Sequence, residues 1–365
     1  MKERQRFVYL DWLKALAILL VCLYHFPADK ALVFARPLPV GLVADRFARA
    51  FDAVCVPLFM MVNGALVLNG RFDLKKHARR TAGLFACVHV WYVITQVLIH
   101  IWRHGAAYAA ADLKGILLSA AYLFEYDGVF TTHLWFIKML VALYLLVPMV
   151  KAAFDSENDQ LRKGLAFFLA GMVILCFLPK DYAHMHKAIP GFKHIDLSGL
   201  ARMEPFEELY GGMMTYFVLG GVLHRCRQKV IAVRWRFIVL TMLGGWGLLC
   251  AEWLLMTIRI DAVYDIVCNA YDTVAALLLS VGLFAFAAKA EAAWPRMKDV
   301  RIVRLVGANT MAVYYLHWIV GHTVFTLLPV GGNPLLNLAK NAAMVLACAL
   351  AGAGLRRVPV LRRLL

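Results

Sequence analysis

The stretch LDWLKALAILLVCLYH at residues 10–25 decides the fold class of this chain. With its flanks, at 7–26, it supplies the roughly 20 mainly apolar residues that a helix needs to cross a bilayer. Its apolar residues do not alternate with polar ones, as they would along a half-buried β-strand. The stretch therefore predicts a membrane-spanning helix, and Asp11, Lys14 and His25 are side chains that such a helix rarely contains.

The same pattern recurs along the chain and predicts an all-α, polytopic integral membrane protein. Of the 365 residues, 62% are apolar or aromatic and 17% are charged, and the mean hydropathy is +0.68. A soluble protein would be about half apolar and a quarter charged. We expect about ten transmembrane helices in a single domain, 1–365, while 113–124 is too short to span and is expected at the interface or as a re-entrant segment. The predicted spans are 7–26, 50–69, 81–101, 133–150, 164–179, 210–224, 237–257, 270–288, 310–328 and 335–355.

The positive charge is concentrated in alternate loops. The chain has 39 Lys and Arg against 23 Asp and Glu, which gives a formal net charge of +16. If both termini are cytoplasmic, the inner segments hold 25 Lys and Arg in 73 residues and the outer segments hold 11 in 102. Cytoplasmic loops of membrane proteins carry such an excess, so this orientation in the lipid bilayer is predicted. The same rule explains the charge without a nucleic-acid partner.

No metal site and no permanently bound cofactor is predicted. The eight cysteines form no CxxC pair, and seven lie in or beside apolar segments, where they are interpreted as small buried hydrophobes. His184, His186 and His194 lack a surrounding Cys or carboxylate pattern that would favour a metal. No Walker or dinucleotide-binding fingerprint occurs, so neither ATP hydrolysis nor a Rossmann cofactor is indicated.

Three ionisable residues share one face of the first predicted helix. Lys14 and His25 are eleven residues apart, which at 100° per residue brings them within about 20° of one face and about 16 Å apart. Asp11 lies one turn before Lys14. One interpretation is a polar cavity in which His25 is a general base, since its ordinary pKa of about 6.5 suits proton removal near neutral pH. The other is a snorkelling Asp11–Lys14 pair with His25 as an interfacial anchor.

Further polar residues in the predicted spans are candidate substrate-binding residues. His133, Trp135 and Lys138 open the fourth span, and His317 lies near the middle of the ninth. A hydrogen-bonded packing role explains His317 equally well. These four residues are the predicted substrate-binding residues.

The segment GRFDLKKHARR at 70–80 places five cations beside the second and third predicted spans. Attraction to the membrane surface explains them. A bound polyphosphate such as coenzyme A explains them equally well, because phosphates pair with Arg and Lys.

Five motifs, in this order along nearly the whole chain, resemble the membrane acyltransferase-3 family. The first is D-x-x-K-x(10)-H, formed by Asp11, Lys14 and His25, where the family usually has Arg at the lysine position. Asn63 stands where the family more often has Ser. The other motifs are VPLFMMVNGALVL at 56–68, the basic entry to the third span ending in Arg79 and Arg80, HLWFIKMLVALYLLVPMV at 133–150 and NTMAVYYLH at 309–317.

The resemblance implies a ten-helix O-acyltransferase, similar to the stand-alone O-acetyltransferases that modify surface polysaccharides such as enterobacterial common antigen and xanthan. The implied reaction transfers an acyl group, expected to be acetyl, from cytoplasmic acyl-CoA to a hydroxyl of an exopolysaccharide or lipid-linked glycan. The implied location is the bacterial inner membrane. Acetyl-CoA is then a cosubstrate, the glycan is the acceptor, and other polysaccharide-assembly proteins are candidate partners.

The resemblance also implies roles for individual residues. His25, Asp11 and Lys14 are the expected catalytic residues, and Lys14 is expected to bind the CoA phosphates together with Arg79 and Arg80. The competing class is a transporter or flippase for a hydrophilic or lipid-linked substrate, which would use the same polar residues as a pathway. Release of the CoA thiol from acetyl-CoA distinguishes the two classes.

Overall fold

The computed structural model describes residues 6–28, 47–122, 131–189, 191, 195, 197, 212–260, 264–328, 333–359 and 361–363. All regular secondary structure within these ranges is helical, as the sequence predicts. Helix-capping residues account for where several helices begin: Asp73, Asn158, Thr273 and Asn333 each accept a hydrogen bond from a first-turn amide of the helix that follows. The third long helix ends at Gly105, whose φ of 87° suits a residue without a Cβ.

Ten helices form the body of the described chain. Five lie before the gap at 198–211, and the fifth of these contains a single π-helical turn, Val173–Phe177. The ten helices are α1 (Val8–His25), α2 (Cys55–Leu68), α3 (Leu74–His104), α4 (Trp135–Asp155), α5 (Asp159–Ala188), α6 (Gly212–Arg225), α7 (Trp235–Ile260), α8 (Val274–Ala293), α9 (Thr310–His322) and α10 (Pro334–Leu355).

Eight segments are long and apolar enough to cross a membrane, judged over the ranges that the structure describes. Two of them include helical turns that precede the helix: α2 belongs to the segment Phe47–Leu68, and α4 to the segment Thr132–Asp155. The other two predicted spans coincide with α6 and α9, which have 14 and 13 residues and are shorter than the roughly 20 that a span needs. Helix α9 ends early because the chain turns at Thr323 into the 3₁₀ turn Val324–Leu327. A span count of ten therefore stays a prediction, as does the cytoplasmic location of both termini. Within the predicted short segment 113–124, the described residues form the helix Leu113–Tyr122, which packs against α3.

Helix α1 lies at the centre of the bundle. It contacts α2, α8, α9, α10 and the short helix Arg301–Ala308. Its first turn is held by the buried carboxylate of Glu291 on α8, whose Oε1 accepts from the amides of Val8 and Tyr9 at 2.7 and 3.4 Å. These contacts satisfy amides that the helix itself leaves without partners. The ionisable side chains of α1 are therefore held among neighbouring helices.

Helices α2 and α6 cross at very short range. A Cβ on Gly64 would lie within 2 Å of the Phe217 carbonyl, and a Cβ on Gly220 would meet the Met61 backbone at similar range. Small residues at a helix crossing allow backbones to approach in this way. The crossing fixes the position of α2, which packs beside α1.

The predicted orientation can be tested by labelling single cysteines in a background free of the native ones. Lys75 and Ile195 are both exposed and lie in segments predicted to be cytoplasmic and outer, respectively. We expect an impermeant maleimide added to intact cells to label Ile195→Cys and to leave Lys75→Cys unlabelled. Labelling of Lys75→Cys alone would show that the topology is inverted.

Candidate active site

A cavity of about 750 Å³ opens beside the first half of α1. We call it the Lys14 cavity. Five cations and two carboxylates line it, which gives it a positive balance suited to an anionic, phosphate-bearing ligand. Its charged lining residues are Arg6, Asp11, Lys14, Arg71, Asp73, Lys76 and Arg80.

The Asp11 carboxylate orients Lys14 in this cavity. Oδ1 of Asp11 lies 2.7 Å from Lys14 Nζ, and Oδ2 accepts from Arg6 Nε at 2.7 Å. Lys14 Nζ also donates to the Gly307 carbonyl at 2.7 Å. A Cβ at position 307 would come within 2.7 Å of the Asp11 carboxylate, so the pair requires glycine there. The ammonium group is thus held by two acceptors at the cavity wall.

Only one of the two predicted arginines of α3 lines this cavity. Both arginines are exposed, but only Arg80 lines the cavity, with its guanidinium 5.7 Å from the centre of the Tyr144 ring. Consecutive helical residues point about 100° apart, which explains why both do not face the same space. Asn63 also faces this cavity, and its Oδ1 accepts from the Tyr144 hydroxyl at 3.1 Å.

A second cavity, of about 480 Å³, lies at the other end of α1. We call it the His25 cavity. It contains three of the predicted site residues, and its remaining lining is largely aromatic, which suits stacking against a sugar-sized ring. The lining residues are Val21, Tyr24, His25, Cys55, Val56, Phe59, Thr132, His133, Trp135, Phe136, Cys268, Tyr271, Tyr314 and Trp318.

Three histidines from different elements converge at this second cavity. The ring centres of His25 and His317 are 5.8 Å apart, and those of His133 and His317 are 5.6 Å apart. Trp318 packs against His25 and His133, with ring centres 4.8 and 4.7 Å away. The fold therefore brings together residues that lie far apart in the sequence.

Two of these histidines present unsatisfied ring nitrogens. His317 Nδ1 lies 2.6 Å from the Tyr314 carbonyl, so Nδ1 carries the proton and Nε2 has a free lone pair. His317 Nε2 and both ring nitrogens of His133 are buried and have no hydrogen-bond partner among the described residues. Burying such atoms without a partner is unfavourable, and of these two residues only His133 lines the cavity.

The remaining predicted residues lie elsewhere. Lys138, half-buried on α4, does not line either of these two cavities as the described residues form them. His184 links α5 to α7, with Nδ1 2.5 Å from Glu252 Oε1, and His194 lies outside the described residues. In the described part of the chain, no group of three or more His, Cys, Asp or Glu side chains has metal-site geometry.

Cys268 is a lining residue that sequence reasoning did not single out. Its Sγ lies 2.9 Å from the Tyr24 hydroxyl. Partial burial and the nearby Asp265 carboxylate raise the pKa of its thiol to about 11. The thiol is therefore a poorer nucleophile near neutral pH than an ordinary cysteine thiol.

The two cavities approach each other along α2. Asn63 lines the Lys14 cavity and Phe59 lines the His25 cavity, and Asn63 Nδ2 donates to the Phe59 carbonyl at 2.9 Å. Four residues of helix correspond to about 6 Å, or roughly one turn. A group bound in one cavity is thus separated from the other cavity by about one turn of α2.

Comparison with known proteins adds a family match. A family model described as an acyltransferase domain matches residues 7–355. The match includes all ten helices α1 to α10. No curated protein and no solved structure matches the chain significantly.

Proposed function

The chain belongs to the acyltransferase-3 family, and we propose that it is an inner-membrane O-acetyltransferase that acts on a surface glycan. The donor would be cytoplasmic acetyl-CoA, and the acceptor a hydroxyl of an exopolysaccharide or of a lipid-linked glycan precursor, reaching the site from the outer side. The observation that carries this proposal is the division of α1 between two cavities of different chemistry. Lys14 lies at a cation-lined cavity and His25 at an aromatic one.

The Lys14 cavity supplies the groups that the donor requires. Coenzyme A carries phosphates, and the cavity offers Lys14 and Arg80 together with three further cations. Asp11 holds Lys14 in place and leaves the balance of the lining positive. Asn63, on the turn of α2 that adjoins the other cavity, is placed to contact the thioester end of the donor.

The His25 cavity supplies the groups that the acceptor requires. Its aromatic side chains give a sugar ring flat surfaces, and His133, which lines it, and the adjacent His317 offer ring nitrogens to its hydroxyls. His25 would remove the proton of the acceptor hydroxyl as the oxygen attacks the thioester carbon. The carbon–sulfur bond then breaks, and the proton on His25 passes to the departing CoA sulfur, so that the products are the O-acetyl ester and free CoA thiol. The same position also suits a route in which His25 itself carries the acyl group between donor and acceptor.

The proposal is tested with purified protein, acetyl-CoA and a lipid-linked glycan fraction from the producing strain. We expect acceptor-dependent release of CoA and a matching gain of ester-linked acetyl in the glycan, both read by mass spectrometry. In the deletion strain, the NMR spectrum of the glycan should lose O-acetyl signals. Glycan movement across the bilayer without consumption of acetyl-CoA would instead show the transporter class.

A further inference from the structure

We propose that Arg49 is a positioning residue for His25, and that it acts by holding the backbone of the last turn of α1. This inference rests on the proposed function, because it assigns Arg49 a part in the His25 chemistry. Arg49 lies outside α1 and lines neither of the two cavities described above. Its effect on the reaction would therefore be exerted through α1.

The contacts of Arg49 are directed at the carbonyls that α1 leaves free. The last carbonyls of a helix have no partner within it. Arg49 Nη2 donates to the carbonyls of Leu23 and Tyr24 at 3.1 and 3.3 Å, and these two residues immediately precede His25. A cation at this end of a helix is also favoured by the helix dipole.

The guanidinium is itself fixed in place. Arg49 Nε lies 3.3 Å from Oδ2 of Asp52, whose side chain is only 2% exposed. Just before Arg49, the Phe47 carbonyl accepts from Trp246 Nε1 at 2.8 Å. Phe51 stacks on the same Trp246 ring. The segment that carries Arg49 is thus held against α7, and the Arg49 guanidinium connects this segment to α1.

The residues on either side of His25 are held by further contacts. The Phe26 carbonyl accepts from the fully buried Asn341 Nδ2 at 3.1 Å, and the Tyr24 hydroxyl donates to Asp265 Oδ2 at 2.8 Å. Together with the Arg49 contacts, these bonds hold the chain before and after His25 from three different elements. These contacts to the residues before and after His25 therefore fix the position of its imidazole in the cavity.

A role in stability alone does not account for the choice of an ion pair here. A buried ion pair loses hydration, and apolar residues of similar size are often as stabilising. What the guanidinium provides and an apolar side chain lacks is a directed pair of hydrogen bonds to two named carbonyls. Misplacement of a catalytic group by about 1 Å can lower a rate by roughly 100-fold.

The location of Arg49 predicts a separation of effects. Lys14 lies about 16 Å from His25 along α1, so this cation of the donor cavity is remote from the Arg49 contacts. Loss of the Arg49 hydrogen bonds to the Leu23 and Tyr24 carbonyls should lower kcat for acetyl transfer and leave the Kd for acetyl-CoA unchanged. A general loss of structure would lower the amount of folded protein and would not change kcat for the molecules that fold.

The test compares Arg49→Met/Asp52→Leu with the wild-type protein. The double change avoids leaving a buried carboxylate without its arginine partner. We expect kcat to fall roughly 10-fold or more, with normal abundance and with normal equilibrium binding of labelled acetyl-CoA. Arg49→Gln serves as the second variant if the double variant does not fold. It keeps a donor for Asp52 but cannot reach both carbonyls, so it should also lower kcat and leave the Kd for acetyl-CoA unchanged. Arg49→Lys, which keeps the charge and the donors, should recover most of the rate.

Lys340→Met provides the matched control. Lys340 Nζ donates to the Leu328 carbonyl at 2.5 Å and lines neither cavity, so its removal should leave kcat unchanged. Normal kcat per folded molecule in the Arg49 variants would overturn the inference. Absence of acetyl transfer by the wild-type protein would overturn the proposed function and, with it, this inference. A wild-type protein that is active beside unaffected Arg49 variants would overturn only the inference.

Discussion

We expect His25→Gln to abolish detectable acetyl transfer, while acetyl-CoA still binds with wild-type affinity. Glutamine keeps hydrogen-bonding groups close to those of the imidazole, but it cannot accept a proton near neutral pH. General-base catalysis typically contributes about 10²- to 10⁴-fold to a rate, which sets the expected loss. His25→Ala should be equally inactive, because it also removes the base.

The measurement is acetyl-glycan yield per unit of folded membrane protein, taken together with binding of labelled acetyl-CoA. Binding should persist because His25 does not line the Lys14 cavity. His89→Gln is the matched control, since His89 Nδ1 bonds to the Phe85 carbonyl of its own helix and the residue lines neither cavity. Near-normal turnover by His25→Gln would remove the general-base assignment and leave the family membership intact.

We expect Lys14→Ala to lower kcat/KM by about 10- to 150-fold, with most of the loss in acetyl-CoA binding. This range corresponds to about 1.5–3 kcal/mol for a charge-assisted contact to a phosphate or thioester oxygen. Lys14→Arg should retain much of the activity, because Arg keeps the charge and the donors next to Asp11. The measurement is steady-state release of CoA across a range of acetyl-CoA concentrations.

Lys163→Ala is the control for Lys14. Its ammonium lies 2.7 Å from Asp159 on an exposed surface, where such a pair contributes little. We expect its kcat/KM to match that of the wild-type protein. Full activity of Lys14→Ala at equal abundance would show that Lys14 serves the membrane interface and has no part in donor binding.

Relations within one helix are the part of the site that the sequence predicts well. The three-residue spacing of Asp11 and Lys14 predicts that they share a face, and their charged atoms lie 2.7 Å apart. The eleven-residue spacing to His25 predicts the two ends of one polar face, and each end lines its own cavity. Helical periodicity is sufficient for these statements because it needs no knowledge of neighbouring helices.

The sequence predicts poorly which residues of different helices meet in the site. Arg79 and Arg80 look alike in sequence, but only the second lines the Lys14 cavity, because the rotation of α3 is set by tertiary packing. Arg49 and Gly307 carry no local signal, since their importance comes from contacts with α1 across 25 and 293 positions of sequence. The apolar run at 310–328 is longer than helix α9 because hydropathy does not register the turn at Thr323.

The proposed function requires that donor and acceptor approach α1 from opposite faces of the membrane. It is tested most directly in proteoliposomes of defined orientation, with labelled acetyl-CoA on the face that carries Lys75 and a glycan acceptor presented on one face at a time. We expect labelled O-acetyl ester only on glycan presented on the face opposite to acetyl-CoA, and none with His25→Gln. Label that appears only on glycan sharing the face of acetyl-CoA would contradict it.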